Sequence, residues 1–190
     1  MITDEAKEAV RRRILDKRKG LGPSYRQEAS DIIRDHVISL DEWKSAHTVY
    51  LYMNTGSEVS TEALIKEALS EGKAVYLPKV TSSSGMSFYR IYSVRDLKEG
   101  AFGILEPDIC EAGSAEDDEP DIVVVPCVAC DAAGHRMGHG RGYYDRFFGR
   151  IKGGVKICTA FDCQMENEII TDEHDVDMDI IITESGIIRI

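Results

Sequence analysis

The sequence predicts an α/β layered fold: one domain over residues 1–190, built on a mostly parallel sheet flanked by helices. Three observations carry this. Apolar runs with strand character alternate with segments of helical periodicity. The 190 residues suit one domain with a full core. The longest apolar run, Asp121 to Cys130, leads into a glycine-rich segment, and ligands of such sheets bind at the carboxyl ends of strands.

Taken in order, Thr3 to Lys19 reads as a helix, with Ala6, Ala9, Val10 and Ile14 near helical spacing. Gly20-Leu21-Gly22-Pro23 ends it. Ser24-Tyr25-Arg26-Gln27 has the form of a capping box, opening a second helix through Ile32, Ile33, His36, Val37 and Leu40. Thr48 to Met53 is a predicted strand. Ser60 or Thr61 then caps a helix through Ala63, Leu64, Ile65, Ala68 and Leu69, which Gly72 stops. Ala74 to Lys79 and Met86 to Ile91 are further strands, and Gly113 to Glu119 is an acidic loop. Asp121 to Cys130, Val155 to Phe161 and Asp179 to Thr183 complete the strands, with an edge strand expected from the last residues.

Thirty-four acids against 23 bases give a formal net charge of −11. This argues against non-specific nucleic-acid binding, which needs a basic surface. No apolar run reaches membrane-span length, and the N-terminus lacks the apolar core of an export signal. The five cysteines are therefore expected as reduced thiols in a cytoplasmic protein. Cys127-x-x-Cys130, with Cys158 and Cys163, invites a zinc or redox reading. Residues three apart in an extended strand point to opposite faces, and no histidine pattern accompanies them, so that reading is set aside.

Gly134 to Asp145 carries the chemistry. Glycines 138, 140 and 142 let the backbone approach a ligand, and amides at a helix mouth beside Arg136 and Arg141 form an anion cradle. Asp145 follows, where a metal ion neutralising phosphate would need a carboxylate. Neither Gly-x-x-x-x-Gly-Lys-Ser/Thr nor Gly-x-Gly-x-x-Gly is present. A bare G-x-G-x-G describes a flexible hairpin equally well. Tyr143-Tyr144-Asp145-Arg146-Phe147-Phe148 argues instead for a loop pinned to the core. Lys7 and Arg11, at i and i+4, share one helix face.

Val125-Pro126-Cys127-Val128-Ala129-Cys130-Asp131 followed by Gly134 to Phe147 resembles the 5-formyltetrahydrofolate cyclo-ligase (methenyltetrahydrofolate synthetase) family. Lys7-x-x-x-Arg11, Glu58-Val59-Ser60-Thr61, Phe102 to Pro107, Phe161 to Gln164 and His174 to Asp179 extend the likeness over nearly the whole chain. The resemblance implies a fold related to the ribose-phosphate-isomerase and CoA-transferase group. It also implies Mg-ATP-dependent cyclisation of 5-formyltetrahydrofolate to 5,10-methenyltetrahydrofolate, with release of ADP and phosphate.

On that likeness Arg136, Arg141 and Tyr144 are the catalytic candidates. Lys7, Arg11, Arg136, Gly138, His139, Gly140, Arg141, Gly142, Tyr143 and Tyr144 would hold ATP. Met53, Glu58, His139, Gly140, Arg141, Gly142 and Tyr143 would meet the folate, and Asp145 and Asp175 the Mg²⁺. No nucleic acid, membrane or obligatory protein partner is implied. The chain departs from the family pattern at Cys127 (usually Gly), Cys130 (usually aromatic) and His139 (usually Arg), and a proline is absent near Ile170. His139 is expected to weaken nucleotide binding and make it pH-dependent. Two other readings stay open: a nucleotide-binding regulatory module without catalysis, and a sugar-phosphate isomerase or CoA-transferase on the same fold.

Overall fold

A computed structural model describes residues 4–82, 85–100, 103–108 and 119–190. Thr3, Phe102, Cys110 and most of the acidic loop lie outside them. Helices α1 (Asp4–Lys19), α2 (Pro23–Ser39) and α3 (Asp41–Ser45) precede strand β1 (Thr48–Tyr50). Helix α4 (Glu62–Ser70), β2 (Ala74–Val80), β3 (Met86–Ile91), and the short strands β4 (Leu97–Glu99) and β5 (Leu105–Pro107) follow. Then come β6 (Ile122–Pro126), β7 (Ala129–Cys130), β8 (Arg136–Met137), α5 (Tyr143–Phe148), β9 (Val155–Thr159), β10 (Ile180–Thr183) and β11 (Gly186–Arg189).

The sheet runs β11-β10-β9-β6-β1-β2-β3. Its five inner strands are parallel, and β3 and β11 pair antiparallel at the two edges. This is the expected mostly parallel α/β sheet. Central β6 shows why: Ile122 to Val125 are all buried, as a strand covered on both faces requires. Alternation sends Ile122 and Val124 into one core and Val123 and Val125 into the other. The first core takes the apolar face of α2 (Ala29, Ile33, Val37) and of α4 (Leu64, Ile65, Ala68). The second is aromatic. Tyr50 stacks on Tyr76 and on Phe88, both at 4.7 Å, and Phe88 meets Phe147 of α5 at 4.6 Å. Each fully buried side chain of this size contributes about 1.5–3 kcal/mol.

Several expectations are corrected. The run from Asp121 to Cys130 is not one strand. It ends at Pro126, which has no N–H for a further ladder bond, and the chain turns into a separate hairpin of β7 and β8. No capping box opens α2: Gly22 is the N-cap, without a side-chain bond, and Pro23 sets the first turn. Thr61 stands at the N-cap of α4, but its hydroxyl donates to the Tyr52 carbonyl at 2.5 Å. Helix α3 and the β4–β5 hairpin lacked a periodic signal. The predicted C-terminal edge strand is β11.

Candidate active site

A cavity of about 1220 Å³ opens at the carboxyl ends of β1, β2 and β6, where Met53, Pro78, Val80, Pro126 and Cys127 line it. The β7–β8 hairpin turns through Gly134 at φ +92° and brings Arg136 back beneath this opening. Gly138 to Gly142 then cross the cavity, and left-handed Gly140 (φ +83°) and Gly142 (φ +61°) bend the chain into α5. Helix α1 supplies Lys7 and Arg11 to the lining.

Arg136 belongs to a buried strand rather than to an open loop. Its Nη2 donates to Asp145 Oδ1 at 2.9 Å, and its guanidinium lies over the Tyr144 ring at 5.5 Å. The buried Nε–H has no hydrogen-bond partner, leaving one charged donor unsatisfied. Burial pushes the Tyr144 hydroxyl upward, only partly countered by Arg136. Tyr144 is thus a proton donor in hydrogen bonds at neutral pH, not a base.

Lys7 Nζ bridges Asp172 at 3.0 Å and Asp175 at 3.1 Å. The same Asp175 oxygen accepts the Asp172 amide at 2.8 Å. Asp175 is therefore part of a network and not merely a member of a solvated charge run. Arg11 Nε donates to the Gly138 carbonyl at 3.0 Å, and the guanidinium sits against Gly140. A Cβ on Gly140 would lie 3.3 Å from Arg11 Cζ, so glycine there admits the cation as well as the positive φ.

On the facing wall, buried Glu58 accepts from the Thr55 amide at 2.8 Å and its hydroxyl at 3.1 Å. His139 Nε2 lies 3.4 Å from the other Glu58 oxygen, joining the glycine segment to this wall. Burial pushes the Glu58 carboxyl up, but His139, the Thr55 amide and Arg18 outweigh it and hold it below the usual range. Arg18 reaches Ser57 Oγ at 3.1 Å and the Cys127 carbonyl at 3.2 Å.

The cavity gathers Lys7, Arg11, Met53, Glu58, Arg136, Gly138, His139, Gly140, Arg141, Gly142, Tyr143, Tyr144, Asp145 and Asp175, every residue singled out from the sequence. It also takes in Thr55, Asp172 and Glu106, which were not singled out. Glu106 is buried, accepts the Val80 amide at 3.3 Å and faces Lys79 at 3.6 Å. Its sequence signal is its place in the Phe102 to Pro107 element of the family resemblance. The cysteine geometry is a further correction. Because the chain turns after Pro126, the Sγ atoms of Cys127, Cys130 and Cys158 lie within 4.8 Å of one another. They do not point to opposite faces.

A sequence model of the 5-formyltetrahydrofolate cyclo-ligase family matches residues 3–184. A probable 5-formyltetrahydrofolate cyclo-ligase of Schizosaccharomyces pombe is 35% identical over 169 residues, 80% of this chain and 82% of the relative. The 5-formyltetrahydrofolate cyclo-ligase of Haemophilus influenzae is 30% identical over 186 residues, covering 95% of this chain and all of that one. The solution structure of Aquifex aeolicus 5,10-methenyltetrahydrofolate synthetase superposes with a TM-score of 0.86 at 36% identity, covering 100% of this chain and 93% of the other. The shared sheet, the match over nearly the full length and the cavity at the strand ends agree: the chain is an enzyme and belongs to the 5-formyltetrahydrofolate cyclo-ligase family.

Proposed function

We propose that this cavity binds ATP and 5-formyltetrahydrofolate side by side and converts the folate to 5,10-methenyltetrahydrofolate, releasing ADP and phosphate. The observation that carries the reading is the company kept in the cavity. Lys7, Arg11 and Arg136 line it together with Glu58, whose carboxylate is held ionised and lies 3.4 Å from His139 Nε2 in the glycine segment.

The formyl group is an amide, whose oxygen is a poor leaving group. Transfer of the γ-phosphoryl group to that oxygen makes it a good one. N10 then attacks the formyl carbon and gives up its proton to the departing phosphate or solvent, the five-membered ring closes, and phosphate leaves with the oxygen. Catalysis of such a transfer consists of alignment and charge neutralisation. Arg136, fixed by Asp145 and Tyr144, and Arg141 act on the transferred phosphoryl oxygens. Lys7 and Arg11 hold the rest of the triphosphate, and the Gly138 to Gly142 backbone follows it closely. Glu58 accepts N–H groups of the pterin ring. Met53 supplies apolar wall, and Tyr143 flanks a flat ligand ring.

Asp145 and Asp175 fit Mg²⁺, which takes carboxylate oxygens and keeps several waters. Each lines the cavity and meets its cationic neighbour through one carboxylate oxygen. The ion supplies charge neutralisation at the phosphates when bound.

The test is the absorbance of methenyltetrahydrofolate after mixing protein, 5-formyltetrahydrofolate, Mg²⁺ and ATP, with ATP omitted in the control. Growth of the signal only with ATP is expected. A folded protein that binds ATP and gives no signal would sink the assignment.

A further inference from the structure

We propose that Cys127, Cys130 and Cys158 form a binding site for a soft, thiophilic metal ion, Cu(I), with the Met165 thioether as a fourth sulfur.

The three cysteines come from separate parts of the fold: the turn after β6, strand β7 and the carboxyl half of β9. Their sulfurs nevertheless lie within 4.8 Å of one another. Three sulfurs around one ion at about 2.3 Å each stand about 4 Å apart, so a small contraction completes the set. All three side chains are buried, and none forms a disulfide. Met165 Sδ is 3.4 Å from Cys130 Sγ. A backbone bridge between Cys130 and Met165, and the Glu166 amide donating to the Cys130 carbonyl at 2.9 Å, fix that approach.

The donor chemistry selects the ion. Thiolates with a thioether, and no imidazole or carboxylate in the group, favour Cu(I) over harder cations. Each ligating thiol releases its proton to solvent as the metal–sulfur bond forms. Cys127 also lines the large cavity, which gives the ion an entry path. Gln164 Nε2, 3.7 Å from Cys127 Sγ and 2.8 Å from the Cys127 carbonyl, braces the first ligand from outside. The site does not depend on the folate reaction.

The experiment is an anaerobic titration of the reduced, full-length protein with Cu(I) buffered by bathocuproine disulfonate. Bound copper is counted per chain, and the thiolate-to-copper absorption is recorded. One equivalent taken from the chelator is expected. The Cys110→Ser/Cys163→Ser double variant leaves only the three clustered cysteines and should keep that equivalent. Cys158→Ser should lose it while circular dichroism reports an intact fold, and Met165→Leu should hold it roughly tenfold more weakly. No equivalent in the parent protein, its loss in the double variant, or its retention in folded Cys158→Ser would each overturn the assignment. Because the double variant decides the matter alone, instability of Cys158→Ser does not leave it open.

Discussion

Two ion-pair groups face the same cavity and differ in burial. At the floor, the Arg136 side chain is 3% exposed and its partner Asp145 21%. At the rim, Lys7 is 14% exposed, but Asp172 is 56% and Asp175 24%. Burial sets what each can do. A desolvated pair is costly to break and holds its members in one geometry, while a partly solvated pair contributes little stability and exchanges partners readily. The floor is therefore a preorganised element, and the rim is the part that, on the proposed function, trades a carboxylate for an incoming phosphate.

The largest effect should come from the floor. Arg136→Ala is expected to lower turnover by at least about a hundredfold, as loss of a preorganised donor does. It should also destabilise the fold by about 2–3 kcal/mol, because Asp145 loses its partner. Steady-state rates and urea unfolding read both. Near-normal stability in this variant would erase the distinction between floor and rim. Gly140→Ala comes next. The left-handed conformation costs an L-residue about 1–2 kcal/mol, and the new methyl pushes Arg11 aside. The KM for ATP should rise about tenfold with kcat less affected. At the rim, Lys7→Ala should raise the KM for ATP only a few-fold and shift stability by less than about 1 kcal/mol, an effect that added salt masks in the parent protein. An effect as large as that of Arg136→Ala would break the comparison from the other side.

The smallest effect concerns the hairpin that holds the floor. His135 Nδ1 lies 2.9 Å from Asp131 Oδ2, and that carboxylate also accepts the amides of Ala133, His135 and Ile169. The Asp131 bond raises His135 above its ordinary 6.5, and nearby negative charge adds to this. Burial pushes Asp131 up, but the Ile169 amide, the His135 ring and the remaining amides hold it below 3.8. The raised histidine contributes stability that is complete below pH 6.5 and is lost as pH rises through its folded pKa. The depressed aspartate contributes stability that is present above pH 3.8 and is lost as pH falls through its folded value. Thermal unfolding against pH should show a loss on the alkaline side that His135→Gln removes.

The sequence makes the sheet readable because its strands are continuous apolar runs, the pattern of a parallel sheet covered on both faces. The same property hides where β6 stops. Val128, Ala129 and Cys130 are as apolar as the strand before them, so hydropathy carries no mark at the Pro126 turn, and the convergence of the cysteines is lost with it. The start of α2 is misread for a related reason. Ser24 and Gln27 have the spacing of a capping box, yet Pro23 already fixes the first turn one residue earlier. The residues that line the cavity together were singled out by their motifs. What motifs do not reveal is pairing across long separations: Lys7 with Asp172 and Asp175, and Glu58 with His139, are tertiary facts.

Helix α1 carries two of the cavity's cations, and among its described side chains only Ile14 and Arg18 are buried: Ile14 sits with half-buried Val10 and Leu15 in a small cluster apart from the main cores, and Arg18 lies against Ser57 and the Cys127 carbonyl. A chain segment held by so few apolar contacts opens at low free-energy cost. On the proposed function, an anion clasped by Lys7 and Arg11 would close that opening, so nucleotide affinity and the residence of this helix on the body would become a single quantity. At a hundred times its dissociation constant a ligand adds about 2.7 kcal/mol to such an equilibrium. If ATP binds as proposed, adding it should slow amide hydrogen exchange in α1 before other elements.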